Sequence, residues 1–283
     1  MLKLDSHPQQ LKAKTLPQLT EAMVILEESG RSLKRWHREA ILDIPELEGC
    51  QYTHMCFQNP PLAAFTRTLR ISFSATKLCA GHQELLLRSI LTATGEEPLP
   101  VQPNLSRLGQ EIQGAISEIS DCIIEFIQLG RIPHLYIGVA SFAALPYLMQ
   151  VLDLKIARQS HPETQLTDQY HRLCLLTEAV KEYQGRYGGM EHFGSTIQFV
   201  ITNFQLFTQH MPESVRVAGW QDVLVHNPSC YMRLALILEH CARTATIPTA
   251  QQLAGDIDGA WTIPTLQSLD TKQVDGVDHF TWL

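Results

Sequence analysis

The stretch Asn104-Leu-Ser-Arg-Leu-Gly-Gln-Glu-Ile-Gln-Gly-Ala-Ile-Ser-Glu-Ile-Ser-Asp-Cys-Ile-Ile-Glu-Phe-Ile-Gln-Leu-Gly130 decides the fold class. Its apolar residues Leu105, Leu108, Ile112, Ile116, Ile119, Ile123, Phe126 and Ile127 recur at threes and fours. That spacing lines side chains along one stripe of an α-helix, whereas a half-buried strand would need alternation. The spacing predicts a helix with Asn104 as its cap and Gly130 as its terminator.

The same period recurs elsewhere. Leu166, Tyr170, Leu173, Leu176, Val180 and Tyr183 predict a helix from Leu166 to about Tyr187, after the turn His161-Pro-Glu-Thr. Further helices are expected over Leu16–Ile41, Pro61–Thr92, Met190–Phe207 and Ser229–Arg243. The run from Leu135 to Leu152 is mostly apolar, but Gly138, Ser141, Pro146 and Gln150 interrupt it. A membrane span wants about 20 consecutive apolar residues, so the run reads as a buried helix kinked near Pro146. Proline and polar residues mark linkers at Glu96–Pro103, Arg158–Pro162 and around Met211. Alternating patterns are scarce, and the expected fold is an all-α multi-helix bundle.

A chain of 283 residues can bury a sizeable core. Its charged fraction of 18% is low beside an ordinary hydrophobic fraction of 45%, so many positions must lie inside or at an interface. The net charge of -7 argues against an unaided grip on phosphate backbones, which needs clustered Lys and Arg. The one locally basic run, Arg31 to Arg38, reads as a solvated helix face around a buried Leu33 and Trp36. Seven dispersed cysteines without a Cys-x-x-Cys pair read as reduced core residues of an intracellular protein. The first residues lack the apolar run of a secretory signal.

Catalytic motifs are missing from the sequence: no nucleophile elbow, no His-Glu-x-x-His, no phosphate-cradling glycine loop. Cys50, His54 and Cys56 offer three soft ligands where a closed zinc site wants four. Glu178 and Glu182 share a helix face and are expected to meet water. No catalytic residue, cofactor or metal site is therefore expected.

The segment Trp220-Gln-Asp-Val-Leu-Val-His-Asn-Pro-Ser-Cys-Tyr-Met-Arg-Leu joins a tryptophan, a helix-opening Pro228 and a Tyr-x-Arg-Leu helix. It resembles the distal part of the regulatory region of fungal zinc-cluster transcription factors, in the subfamily of the cutinase regulators. Thr246-Ile247-Pro248 supplies the turn that follows in that family. Two earlier stretches are similar to the family in the same order. One is Ala63 to Leu78, although Gly81-His82-Gln replaces the family's His-Arg-Pro. The other runs from Ala143-Ala-Leu-Pro-Tyr-Leu-Met-Gln-Val-Leu-Asp-Leu-Lys to Thr177–Tyr187.

The resemblance covers approximately Ser32 to Asp258. It implies a helical regulatory domain at 32–258, preceded by a partly helical extension at 1–31 and followed by a tail at 259–283. That tail holds Trp261, Phe280 and Trp282, whose rings are expected to dock on the body. It also implies a regulator or co-regulator of a fungal secondary-metabolite gene cluster, located in the nucleus, or otherwise in the cytoplasm. Such a chain would lack its own zinc-cluster DNA-reading module and would not grip nucleic acid or membrane. Its expected partners are a zinc-cluster transcription factor, a second copy of itself, or a small-molecule effector. The effector pocket is expected near Pro146, Tyr147, Trp220, Tyr231 and Arg233. The rival readings are a helical enzyme of fungal secondary metabolism with an apolar substrate pocket, and a structural adaptor with an exposed apolar patch.

Overall fold

In a computed structural model, the residues described are 16–43, 60–93, 101–131, 137–160, 167–186, 196, 197, 199–201, 219–244 and 246. They are all-α: α1 Leu16–Asp43, α2 Pro60–Ala93, α3 Val101–Gln128, α4 Ile137–Ser160, α5 Thr167–Arg186, α6 Trp220–His226 and α7 Pro228–Thr244. A short helical run occupies 196, 197 and 199–201. No strand occurs among the described residues.

The periodic stripe of α3 is the centre of the molecule. Leu108, Ile112, Ile116, Ile119, Ile123 and Phe126 are almost wholly buried, and α3 packs against α2, α4, α5 and α6. Each such side chain contributes about 1.5–3 kcal/mol by leaving water, which makes the stripe a large share of the core. Gly130 ends the helix as the sequence predicts. It takes φ 62°, while its N–H meets the Ile127 carbonyl at 2.9 Å and the Arg131 N–H meets the Phe126 carbonyl at 2.9 Å. Two orphan carbonyls are thereby satisfied. The start differs from expectation: α3 opens at Val101, so Asn104 lies inside the first turn and is no cap. Pro103 does not prevent this, because the first-turn N–H it lacks has no intrahelical partner anyway. The expected linker over 96–103 yields its last three residues to the helix.

Helix α2 lies close against α3. A Cβ on Gly81 would stand 3.0 Å from Ile112 Cγ1, so only glycine permits this approach without displacing Ile112. Charged pairs fasten the same interface: Arg67 binds Glu125, and Arg70 Nε donates to Glu118 at 3.3 Å. The Ser74 hydroxyl also donates to Glu118, and Arg67 Nη1 reaches the Ala63 carbonyl at 3.1 Å.

Helix α4 passes through Pro146 and continues to Ser160, so the linker expected from Arg158 begins later. Residues 143–149 are buried without a break. A helix that is apolar all round belongs in a core, and no helix among the described residues is long and apolar enough to cross a membrane.

Helix α1 runs unbroken across residue 31, where the sequence reading drew a boundary. Among the described residues of this helix, Ala22, Met23 and Leu26 pack partly on the main core. Trp36, expected to be buried, is 46% exposed. The neighbouring His37 takes the closer position, stacked on Phe73 of α2 with ring centroids 3.8 Å apart, while Trp36 meets the same ring tilted at 6.2 Å. One residue is about 100° around a helix, so facing His37 inward turns Trp36 toward solvent. Of the helix expected over 190–207, Thr196, Ile197, Val200 and Ile201 are buried and Phe199 packs partly against the core; the rest lies outside the described residues. The same is true of Cys50, His54, Cys56, Met211 and the tail at 259–283.

A polar cleft beside a buried aromatic pair

The turn between α6 and α7 brings Trp220 and Tyr231 together. Asn227 closes α6, its N–H meeting the Val223 carbonyl at 2.7 Å, while its side-chain oxygen accepts the Cys230 N–H at 3.0 Å. It therefore caps α7, and Pro228 fills the first helical position, where a missing N–H costs nothing. This tight turn folds Trp220 onto Tyr231 with centroids 5.3 Å apart. Both rings are about 1% exposed.

Tyr231 is held on its other side by α2. Its hydroxyl and His82 Nε2 are 2.7 Å apart. Burial pushes His82 down to about 4, so the imidazole is neutral near pH 7, and it raises Tyr231 above the ordinary phenol range. Burial also lifts the Cys230 thiol to about 12, which leaves it without a reactive thiolate. Arg233, one turn away, is 3% exposed, and burial lowers its pKa below the usual guanidinium value.

The remaining residues marked in the sequence lie elsewhere. Pro146 and Tyr147 are buried in α4, and the Tyr147 hydroxyl donates to Thr177 at 3.3 Å. The Thr177 hydroxyl in turn donates to the Leu173 carbonyl at 2.8 Å. The void beside Tyr147, toward Leu176, Val180 and Tyr183, holds about 10 Å³. That is room for at most one water.

The open volume is on the opposite side of Trp220. A cleft of about 260 Å³ lies among α3, α4, α5 and α6. Gln113, Ser117 and Asp121 line it from α3, Gln150 and Asp153 from α4, and Gln169 and Arg172 from α5, with Ile116, Met149 and Trp220 as its apolar surface. Asp121 and Arg172 form a half-exposed ion pair at 2.7 Å. Gln150 Nε2 donates to the Ser120 hydroxyl at 2.8 Å, and Ser120 donates to the Ile116 carbonyl at 2.9 Å. Gln113 Nε2 meets Ser117 at 3.1 Å.

Asp153 joins the cleft to α6. Its Oδ1 accepts the Trp220 N–H at 3.0 Å, while Asp222 accepts the Gly219 N–H at 3.3 Å. Two of the orphan donors at the start of α6 are satisfied in this way, by carboxylates placed where the helix dipole favours them. Burial, helped by the nearby Asp222 charge and opposed by the Trp220 N–H, raises the Asp153 carboxyl to about 6.

Among the described residues lining the cleft there is no His or Cys beside a hydroxyl, and no cluster able to hold a metal ion occurs among the described residues. Of the five residues marked in the sequence, only Trp220 reaches the cleft. Gln113, Ser117 and Gln169 carry no signal in the sequence. The one available clue was Gln150, a polar residue inside an apolar run. No protein-family model matches the chain, and neither a curated protein nor a solved structure does.

Proposed function

We propose that this chain is a transcription regulator or co-regulator of a fungal secondary-metabolite gene cluster, working in the nucleus through protein contacts and a small effector. The observation that carries the reading is where two of the family-like segments meet. Ala143–Lys155 and Trp220–Arg233 are tied by the Asp153–Trp220 hydrogen bond, and the 260 Å³ cleft opens at that tie. A ligand there touches four helices at once. It can shift an equilibrium between helix arrangements by as much as it binds one better than the other. Side chains such as Val24, Ile25 and Trp36 on α1 and Phe65 on α2 are about half exposed, which supports contact with a zinc-cluster regulator or a second copy.

Transcript levels across the neighbouring genes, compared between a deletion strain and one complemented with the wild-type chain, test the reading. Coordinate loss or gain of those transcripts is expected. A second reading, a helical enzyme of the same metabolism, draws support from Asp153: a cleft-lining carboxyl with a pKa near neutrality suits an acid or base. Unchanged transcripts with loss of a single metabolite would favour that enzyme and sink the regulator.

A further inference from the structure

The polar groups of the cleft share one sense. Ser120 gives its proton to Ile116, so it must accept from Gln150, and this fixes the Gln150 amide with its N–H turned to Ser120 and its carbonyl oxygen left over. Gln113 likewise directs its N–H to Ser117, and its buried Oε1 has no hydrogen-bond partner. Asp153 uses Oδ1 on the Trp220 N–H, leaving Oδ2 without a donor from the described residues. Arg172, the one cation among the described lining residues, is paired with Asp121. What remains is a set of unfilled acceptors with one uncompensated negative charge. A buried acceptor left unmet costs about 1–3 kcal/mol, so the cleft is complementary to a donor-rich cation.

From this geometry we propose that the cleft takes a small ligand with a protonated amine or guanidine head, bound by Asp153 and the Gln150 carbonyl oxygen. The proposal rests on reading the cleft as the effector site. The volume of 260 Å³ has room for several waters, or for a compact metabolite. Ile116, Met149 and Trp220 offer a short apolar body a surface to lie on. Around Asp153 the charged groups are Asp222 on α6, and Asp121 and Arg172 across the cleft on α3 and α5. The described residues of α2 and α7 line no part of it.

The test is calorimetric titration of the full chain with putrescine and agmatine, against the neutral pentanediol and the anion glutarate. Heat is expected from the two cations alone. Asp153→Asn retains the acceptor for Trp220 and should weaken cation binding at least roughly tenfold, and lowering the pH from about 7.5 to about 5 should do the same to the wild type. Far-ultraviolet circular dichroism of the variant confirms that it is folded. Absence of binding by either cation, equal binding of pentanediol or glutarate, or unchanged cation affinity in Asp153→Asn each overturns the proposal. The regulatory reading fails separately: cations that bind while the neighbouring transcripts ignore gene deletion would sink the regulator and leave the ligand class standing.

Discussion

Trp220 has two unlike sides. Toward α7 and α2 it meets Tyr231 and, beyond it, His82, in a dry and filled space where every ring is fixed by another ring or a hydrogen bond. Toward α3, α4 and α5 it borders a cleft lined by amides and carboxylates. The first side holds α6 and α7 in place, and the second leaves volume for something else. One residue thus serves as wall to both a core and a site. The difference teaches that Trp220 and Tyr231 mark the scaffold, while the cleft is lined largely by polar residues on other helices.

The harshest way to break this contrast is Trp220→Ala, which empties the wall itself. A loss of about 3–5 kcal/mol in urea unfolding is expected. A loss below about 1 kcal/mol would mean that the aromatic side is no scaffold.

The two sides should also oppose each other in their pH dependence. Asp153 is raised from 3.8 to about 6, so between these values the folded chain holds more protons than the unfolded chain. Its contribution to stability is present below about pH 4 and lost as the pH rises to 6. His82 is lowered from 6.5 to about 4, so there the unfolded chain holds more protons. Its contribution is present above about pH 6.5 and lost as the pH falls toward 4. For these two groups the effects nearly cancel in the wild type. Relative to it, Asp153→Asn should unmask a rise in stability with pH, and His82→Gln a fall, each on the order of 2 kcal/mol. Identical profiles for the two variants would show that neither group is buried as described.

Tyr231→Phe sharpens the contrast more gently. It keeps the ring on Trp220 but strips the hydroxyl from His82, for an expected loss of about 1–2 kcal/mol with cation binding unchanged. The smallest effect is expected from Gly219→Ala. With φ -164° the backbone suits any residue, but the new Cβ would stand 3.0 Å from Asp153 Oδ1. Moving that carboxyl loosens the start of α6 by about 1 kcal/mol and should be felt in cleft binding as well as in thermal unfolding. A change in stability with binding untouched would disconnect Asp153 from the cleft.

Much of the scaffold was legible because helical period and burial are local properties of the chain. The α3 stripe, the glycine stop at Gly130 and the helix opening at Pro228 each follow from residues near one another in sequence, whereas the capping by Asn227 emerged from the structure. The errors were local too. Asn104 could not be told from an interior residue, since Pro103 is tolerated in a first turn. The size of Trp36 points to the core, yet His37 takes the stacked place on Phe73 and leaves Trp36 at the tilted edge of that ring, half exposed.

The sequence by itself determined the all-α class and the joining of α6 to α7, because hydrogen bonds between residues a few positions apart and apolar stripes at helical spacing produce both. Tertiary structure decided the rest. Asp153 lies 67 positions from Trp220, and Arg172 lies 51 from Asp121. No pattern along the chain announces such pairs. The cleft exists where four helices fail to close on one another, and that gap is set by how they pack as solid bodies.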